Sequence, residues 1–158
     1  MKARGWWIAA ALLVMSIINA CSHQLDRQIS ISETQTGDGV LLTILTSENP
    51  ETQLMALVLT KAALERGETP RILLCSAAGD LALKAPPASA TTPLAPKDIS
   101  PQGLLQSLMA NGVKVDVCAI YLPNRPFGPE ALLGEVGVAI PSDVAEQFTS
   151  ENATVLSF

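Results

Sequence analysis

Val40, Leu41, Leu42, Thr43, Ile44, Leu45 and Thr46 form a run of strand length that is too continuously apolar for a sheet with one wet face. Such a strand needs cover on both sides, and in parallel sheets helices provide it. The next residues supply the first helix. Asn49 is a capping residue, Pro50 suits the first helical position, and Glu51 complements the first turn. Leu54, Leu57, Val58, Ala62 and Leu64 then fall mostly at three- and four-residue spacing, which predicts a core-facing stripe ending near Arg66 and Gly67. The alternation repeats along the chain. Arg71 to Cys75 reads as a second buried strand, Ser100 and Pro101 open a helix that stops near Asn111 and Gly112, and Val113 to Ile120 reads as a third strand. Pro129 and Glu130 begin a short helix, Gly137 to Ile140 a fourth strand, Pro141 to Phe148 a helix with Asp143 in its first turn, and Thr154 to Phe158 a fifth strand. Five strands alternating with helices require mainly parallel pairing and right-handed crossovers, so the expected fold is α/β, a three-layer α/β/α domain over residues 39–158.

One stretch interrupts the pattern. Between Ala85 and Pro101 lie five of the eleven prolines, interleaved with Ala, Ser and Thr, a composition that neither donates to a sheet ladder nor sustains a helix. A Pro/Ala-rich loop at residues 85–101 is expected. Its length suggests a mobile lid, a surface for another chain, or a tolerated insertion.

The N-terminus has a different character. Lys2 and Arg4 precede an apolar run from Trp6 to Ile18, shorter than an untilted membrane-spanning helix needs, and small Ala20 sits just before Cys21. Residues 1–20 read as a signal peptide. Ile18, Asn19 and Ala20 before Cys21 resemble the lipobox of bacterial lipoproteins, although Asn19 is a less usual residue there. The resemblance implies that Cys21 is lipidated, and Ser22 after it points to an outer-membrane anchor facing the periplasm. Polar residues 21–38, which include His23, read as a tether. Cleavage would remove Lys2 and Arg4 and leave eight basic side chains against fifteen acidic ones. A body so acidic would be held at an anionic leaflet by its lipid and not by charge, and it offers nucleic acid no landing surface.

The inventory for chemistry is small. One His and three Cys leave most zinc sites without enough ligands and make His23 the sole imidazole for any Ser/His/Asp triad, so neither a metal nor such a triad is expected. Gly37, Asp38 and Gly39 precede a strand instead of following one, which is turn chemistry and not a phosphate cradle. No cofactor is expected. The Asn152-Ala153-Thr154 sequon is incidental in a bacterial lipoprotein, and the two Trp leave with the signal peptide. What remains are thiols at the carboxyl edge of the sheet, where parallel sheets bind ligands and helix N-termini point their amides. Cys75 closes the second strand and Cys118 lies near the end of the third. Each is either a reactive thiol or a packed small hydrophobe. In the commonest strand order for this alternation the second and third strands flank the first. Their Cα atoms would then lie roughly 9 to 10 Å apart, beyond the roughly 7 Å that a disulfide tolerates, so two free thiols are expected. Adjacent strands would reverse that expectation.

Several stretches resemble the DsrE/DsrF-like family, the sulfur-relay fold also called YchN-like. They are Leu45-Thr46-Ser47-Glu48-Asn49-Pro50, Ile72-Leu73-Leu74-Cys75, Gly112-Val113-Lys114-Val115-Asp116-Val117-Cys118 and the terminal Val155-Leu156-Ser157-Phe158. The likeness spans about residues 40–158. It implies that Cys118 stands where the family carries sulfur as a persulfide, that the chain self-associates as a trimer or hexamer, and that a sulfur donor or acceptor protein is its partner. Asp116 on the same strand face would raise a thiol pKa there, and Arg125 on the following loop would lower it. Two functions stay open: a persulfide carrier using Cys118, with Arg125, Asp116 and Cys75 as supporting residues, or a non-catalytic lipoprotein that binds a small ligand or protein at the same edge.

Overall fold

The computed structural model describes residues 39–158; the expected signal peptide, the Cys21 lipidation site and the tether lie outside the described residues. Strand β1 (Val40–Leu45) leads into helix α1 (Pro50–Glu65), strand β2 (Thr69–Leu74) and a 3-10 segment at Ser76–Ala82. A short helix α2 (Ala88–Thr91) and helix α3 (Pro101–Ala110) precede strand β3 (Lys114–Val117). Two 3-10 turns, Leu122–Asn124 and Pro129–Ala131, then lead to strand β4 (Gly137–Val138), helix α4 (Pro141–Thr149) and strand β5 (Ala153–Ser157). All five strands are parallel, in the order β4-β3-β2-β1-β5.

Local chemistry accounts for the helix boundaries. The Asn49 side chain accepts from the Thr52 amide at 3.0 Å, and α1 ends where Gly67 takes a φ of 90°, a left-handed conformation that costs glycine little. Ser100 caps α3 by accepting from the Gly103 amide at 3.1 Å, and Gly112 repeats the positive φ at its end. Both Pro residues sit at helix starts, where the missing amide hydrogen is not needed.

The main core lies between the sheet and α1/α3. Leu45, Ile72, Leu74, Val115 and Val117 point down from the strands to meet Leu57, Leu105 and Leu108, all fully or almost fully buried. Burial of each such side chain contributes about 1.5–3 kcal/mol. The packed face of α1 follows the predicted stripe only in part: Leu57 is fully buried and Leu54 and Leu64 pack half-buried against the core, but Val58 and Ala62 are exposed and Gln53, Ala56 and Thr60 complete the buried face. The cause is polar pairing across the core. Thr43 of β1 and Thr60 share a hydrogen bond at 2.8 Å, and the Thr60 hydroxyl donates to the Ala56 carbonyl at 2.8 Å, so a face carrying a Thr is satisfied when buried. On the opposite side of the sheet Leu42, Leu73 and Ala139 form a smaller cluster with Val144 of α4. Helices therefore cover both faces, thickly on one and with a single helix on the other.

The proline-rich segment 85–101 is more ordered than the expected loop. It carries the turn of α2, whose Ala90 is buried, and closes on itself by an antiparallel bridge between Leu94 and Ile99. Strand β3 is shorter than its apolar run. The chain leaves the sheet after Val117 because the Tyr121 amide donates to the Cys118 carbonyl at 2.8 Å and the Tyr121 ring turns inward, leaving Ile120 73% exposed.

Candidate functional site

The carboxyl ends of β2 and β3 converge on one feature. The last paired residues of the two strands are Leu74 and Val117, and the Cys118 amide donates to the Leu74 carbonyl at 2.8 Å. One step further along each strand come Cys75 and Cys118, whose Cα atoms are 5.1 Å apart and whose sulfurs are joined as a disulfide. The expectation of two free thiols is thus overturned, and the reason is strand order. β2 and β3 are neighbours here instead of flanking β1, so two cysteines at the same height meet at the spacing of adjacent strands. Both are half-buried, and Cys75 and Cys118 pack beside Leu42, Leu73 and Ala139 on the thinly covered face.

Pleat alternation puts Arg71 and Asp116 on that same face, two or four residues before the cysteines. The Asp116 carboxylate accepts from Arg71 Nη2 at 2.9 Å and is only 7% exposed. Its other oxygen lies against Gly137 of β4, where any Cβ would collide with it. Asp116 therefore shares the thiols' face, as expected, but its charge is committed to Arg71. Arg71 was not singled out by the sequence; an apolar strand with one Arg and a neighbouring strand with one Asp was the available signal.

Arg125 is engaged at the other flank. Its Nη2 donates to the Ser76 carbonyl at 3.2 Å, one residue from Cys75, and its guanidinium stacks 4.6 Å from the centroid of the Tyr121 ring. The Asp80 carboxylate accepts from the Tyr121 hydroxyl at 2.7 Å and lies 3.8 Å from Arg125 Nε. Burial pushes the Tyr121 phenol up to about 12, the Asp80 carboxylate adds to the rise, and Arg125 opposes it. Asp80 and Tyr121 were not expected as site residues; 41 residues separate them, so no local spacing signals the pair. Gly79 makes it possible, since a Cβ there would strike the Tyr121 ring.

The turn after β2 is set by Ser76, whose φ of 53° lies in the left-handed region, and by Gln102 of α3. The Gln102 amide nitrogen donates to the Leu81 and Leu83 carbonyls at 3.0 and 2.7 Å and so fixes the 3-10 segment to α3. Next to this segment a cavity of about 250 Å³ is lined by Glu48, Gln53, Ala77, Asp80 and residues of α2. Pro87, Ser89 and Ala90 of segment 85–101 thus form one wall of this cavity. Among the described residues no three His, Cys, Asp or Glu side chains gather as a metal site, and no helix is long and apolar enough to cross a membrane.

This arrangement of strands and helices is shared with a protein of known structure. The crystal structure of the YchN protein from E. coli superposes with a TM-score of 0.60, covering 76% of this chain and 98% of that one, at 21% identity. The fold is YchN-like. No protein-family model matches the sequence, and no curated protein sequence matches it. The YchN likeness confirms the fold expected from the strand and helix pattern, and at this identity it speaks for the fold alone. Within that fold the carboxyl edge of β2 and β3 holds a cysteine pair, with an Arg–Asp pair on the same face and an Asp–Tyr–Arg cluster beside it. Such an edge can cycle between dithiol and disulfide, and in the dithiol state it can accept or pass a sulfur atom by thiol exchange.

Proposed function

We propose that this chain is a sulfur-relay domain in which Cys118, in the dithiol state, carries a sulfane sulfur as a persulfide. The observation that supports it most is the placement of Cys118 at the carboxyl edge of β3, half-buried, in a YchN-like fold. Sulfur reaches such a thiol by attack of its thiolate on a donor's sulfane sulfur and leaves by attack of an acceptor thiolate on the outer atom. Arg125, held one residue from Cys75, is the nearby cation that would favour an anionic sulfur. The lipobox-like Ile18 to Ala20 before Cys21 supports export and lipid anchoring in the envelope, facing the periplasm. The resemblance to the DsrE/DsrF-like family supports self-association as a trimer or hexamer and a protein partner that gives or takes the sulfur.

The Cys75–Cys118 bond also favours a second reading: a domain stapled by its disulfide, which binds a ligand or protein at this edge and does no sulfur chemistry. Intact-mass spectrometry separates the two. The reduced chain carrying Cys21→Ser and Cys75→Ser, treated with polysulfide, should gain one sulfur on Cys118, and the same chain with Cys118→Ser added should gain none. Equal gain with and without Cys118, or no gain in any variant, would leave the stapled binding domain.

A further inference from the structure

A thiol relay that only ferries sulfur needs one cysteine, and this edge has two within bonding reach. Cys75 and Cys118 lie one step beyond the Leu74–Val117 register pair, on one face of the sheet, with Cα atoms 5.1 Å apart. Their bond shows which atom Cys75 Sγ can reach. It is Cys118 Sγ itself. In a persulfide on Cys118 that atom becomes the inner sulfur, and the outer sulfur is the one an acceptor attacks.

We propose that Cys75 is a resolving thiol that discharges the persulfide of Cys118 as hydrogen sulfide, making the domain a sulfane-sulfur reductase as well as a carrier. This rests on the sulfur-carrier reading. The Cys75 thiolate attacks Cys118 Sγ, a bond forms between the two Sγ atoms, and the bond from Cys118 Sγ to the outer sulfur breaks. The outer sulfur leaves with the electron pair as hydrosulfide and takes up the proton that Cys75 gave up. The balance closes without an outside oxidant: one persulfide and one thiol become one disulfide and one hydrogen sulfide. The sulfane sulfur is reduced by two electrons, and the pair of cysteine sulfurs is oxidised by two. The departure is favoured because hydrosulfide is a weaker base than an alkyl thiolate, and the less basic sulfur leaves faster.

The disulfide state is therefore the product of one turnover. A dithiol reductant resets it by ordinary thiol–disulfide exchange, becoming a disulfide itself. Access for that reductant exists because both cysteines are half-buried and not sealed in the core. Two fates then compete for each loaded sulfur: transfer to an acceptor that attacks the outer atom, and discharge by Cys75 at the inner one.

The test uses the full-length chain, with Cys21→Ser throughout so that no third thiol loads. Each variant is reduced, freed of reductant under anaerobic conditions and treated with one equivalent of polysulfide. Intact mass and trapped sulfide are then followed together. The wild-type pair should end as the disulfide, with one more sulfide released per chain than from Cys75→Ser or Cys75→Ala. Those two variants should instead hold a stable adduct of one sulfur on Cys118, and Cys118→Ser should hold none. A wild-type chain that keeps its adduct as long as the Cys75 variants do would overturn discharge and leave the carrier standing. Loading in Cys118→Ser but not in Cys75→Ser would overturn the assignment of roles. Failure of every variant to load would remove the carrier reading and the discharge with it.

Discussion

Reducing the Cys75–Cys118 bond should lower the stability of the fold by an amount set by chain length alone. The bond spans 43 residues of sequence. In the chain-entropy account a crosslink of that span removes unfolded-state freedom worth about 4 kcal/mol at 25 °C. For a domain of this size that corresponds to a fall in melting temperature of roughly 12–16 °C. The native state should survive the loss, because the β2–β3 ladder from Arg71–Lys114 to Leu74–Val117 holds both cysteines in place without the bond. Circular dichroism melts of the full-length Cys21→Ser chain, oxidised and reduced with a phosphine, measure the difference directly. Cys75→Ser and Cys118→Ser chains should melt with the reduced protein and not between the two. Urea transitions should show a steeper slope once the bond is cut, since the unfolded chain then exposes more surface. A reduced chain melting within a few degrees of the oxidised one would refute this reasoning, because it would mean that the unfolded ensemble already keeps the two strands together.

Three further outcomes follow from the same edge. Tyr121 is the chain's single tyrosine, so its phenolate absorbance reports one site: it should titrate near 12 instead of 10, Asp80→Asn should bring it down, and a normal titration would sink the half-buried Asp80–Tyr121 pair. Its folded pKa lies above the unfolded one, so its contribution to stability is full below about pH 10 and lost as pH rises toward 12, which urea midpoints across that window would show. Gly79→Ala should cost about 1–3 kcal/mol, since the new methyl displaces the Tyr121 ring and breaks its hydrogen bond to Asp80; an unchanged urea midpoint would mean the ring does not rest there. Arg71→Met should destabilise by about 3 kcal/mol at neutral pH by leaving Asp116 buried without its partner, and Arg71→Met with Asp116→Leu should recover most of the loss in a double-mutant cycle.

The strands and helices of this protein were legible because their signals are local. Asn49-Pro50 and Ser100-Pro101 mark helix starts, Gly67 and Gly112 mark helix ends, and the apolar runs mark buried strands, all within a few residues of one another. The order of strands was not, since nothing in the runs themselves says which neighbour each will take, and the most frequent order placed β1 between β2 and β3. Part of the buried face of α1, its Thr60 above all, was missed for a related reason. Thr60 looks like a solvent residue until its partner Thr43, on another element, is known. The Asp80–Tyr121 bond and the Arg71–Asp116 pair escaped in the same way, each joining residues more than forty positions apart. Cys118 was legible as a residue at a ligand-binding edge, and Cys75 as its counterpart, but their bond followed only from the order β4-β3-β2-β1-β5.

On the proposed sulfur-carrier reading, that order also bears on the fate of a loaded sulfur. A thiol held at bonding distance competes with free thiols as though it were present at very high concentration, because the cost of bringing the two groups together has been met in folding. An acceptor in solution must therefore take the outer sulfur before Cys75 reaches the inner one, and only a partner already docked at the edge competes on equal terms. On the proposed carrier reading, strands β2 and β3 would bias the domain toward releasing sulfide whenever no acceptor is bound, and toward transfer when one is. A Cys75→Ser chain, with discharge removed, should pass more of its sulfur to an added acceptor thiol than the wild type does. If both passed the same fraction, the neighbouring thiol would have no part in the fate of the sulfur.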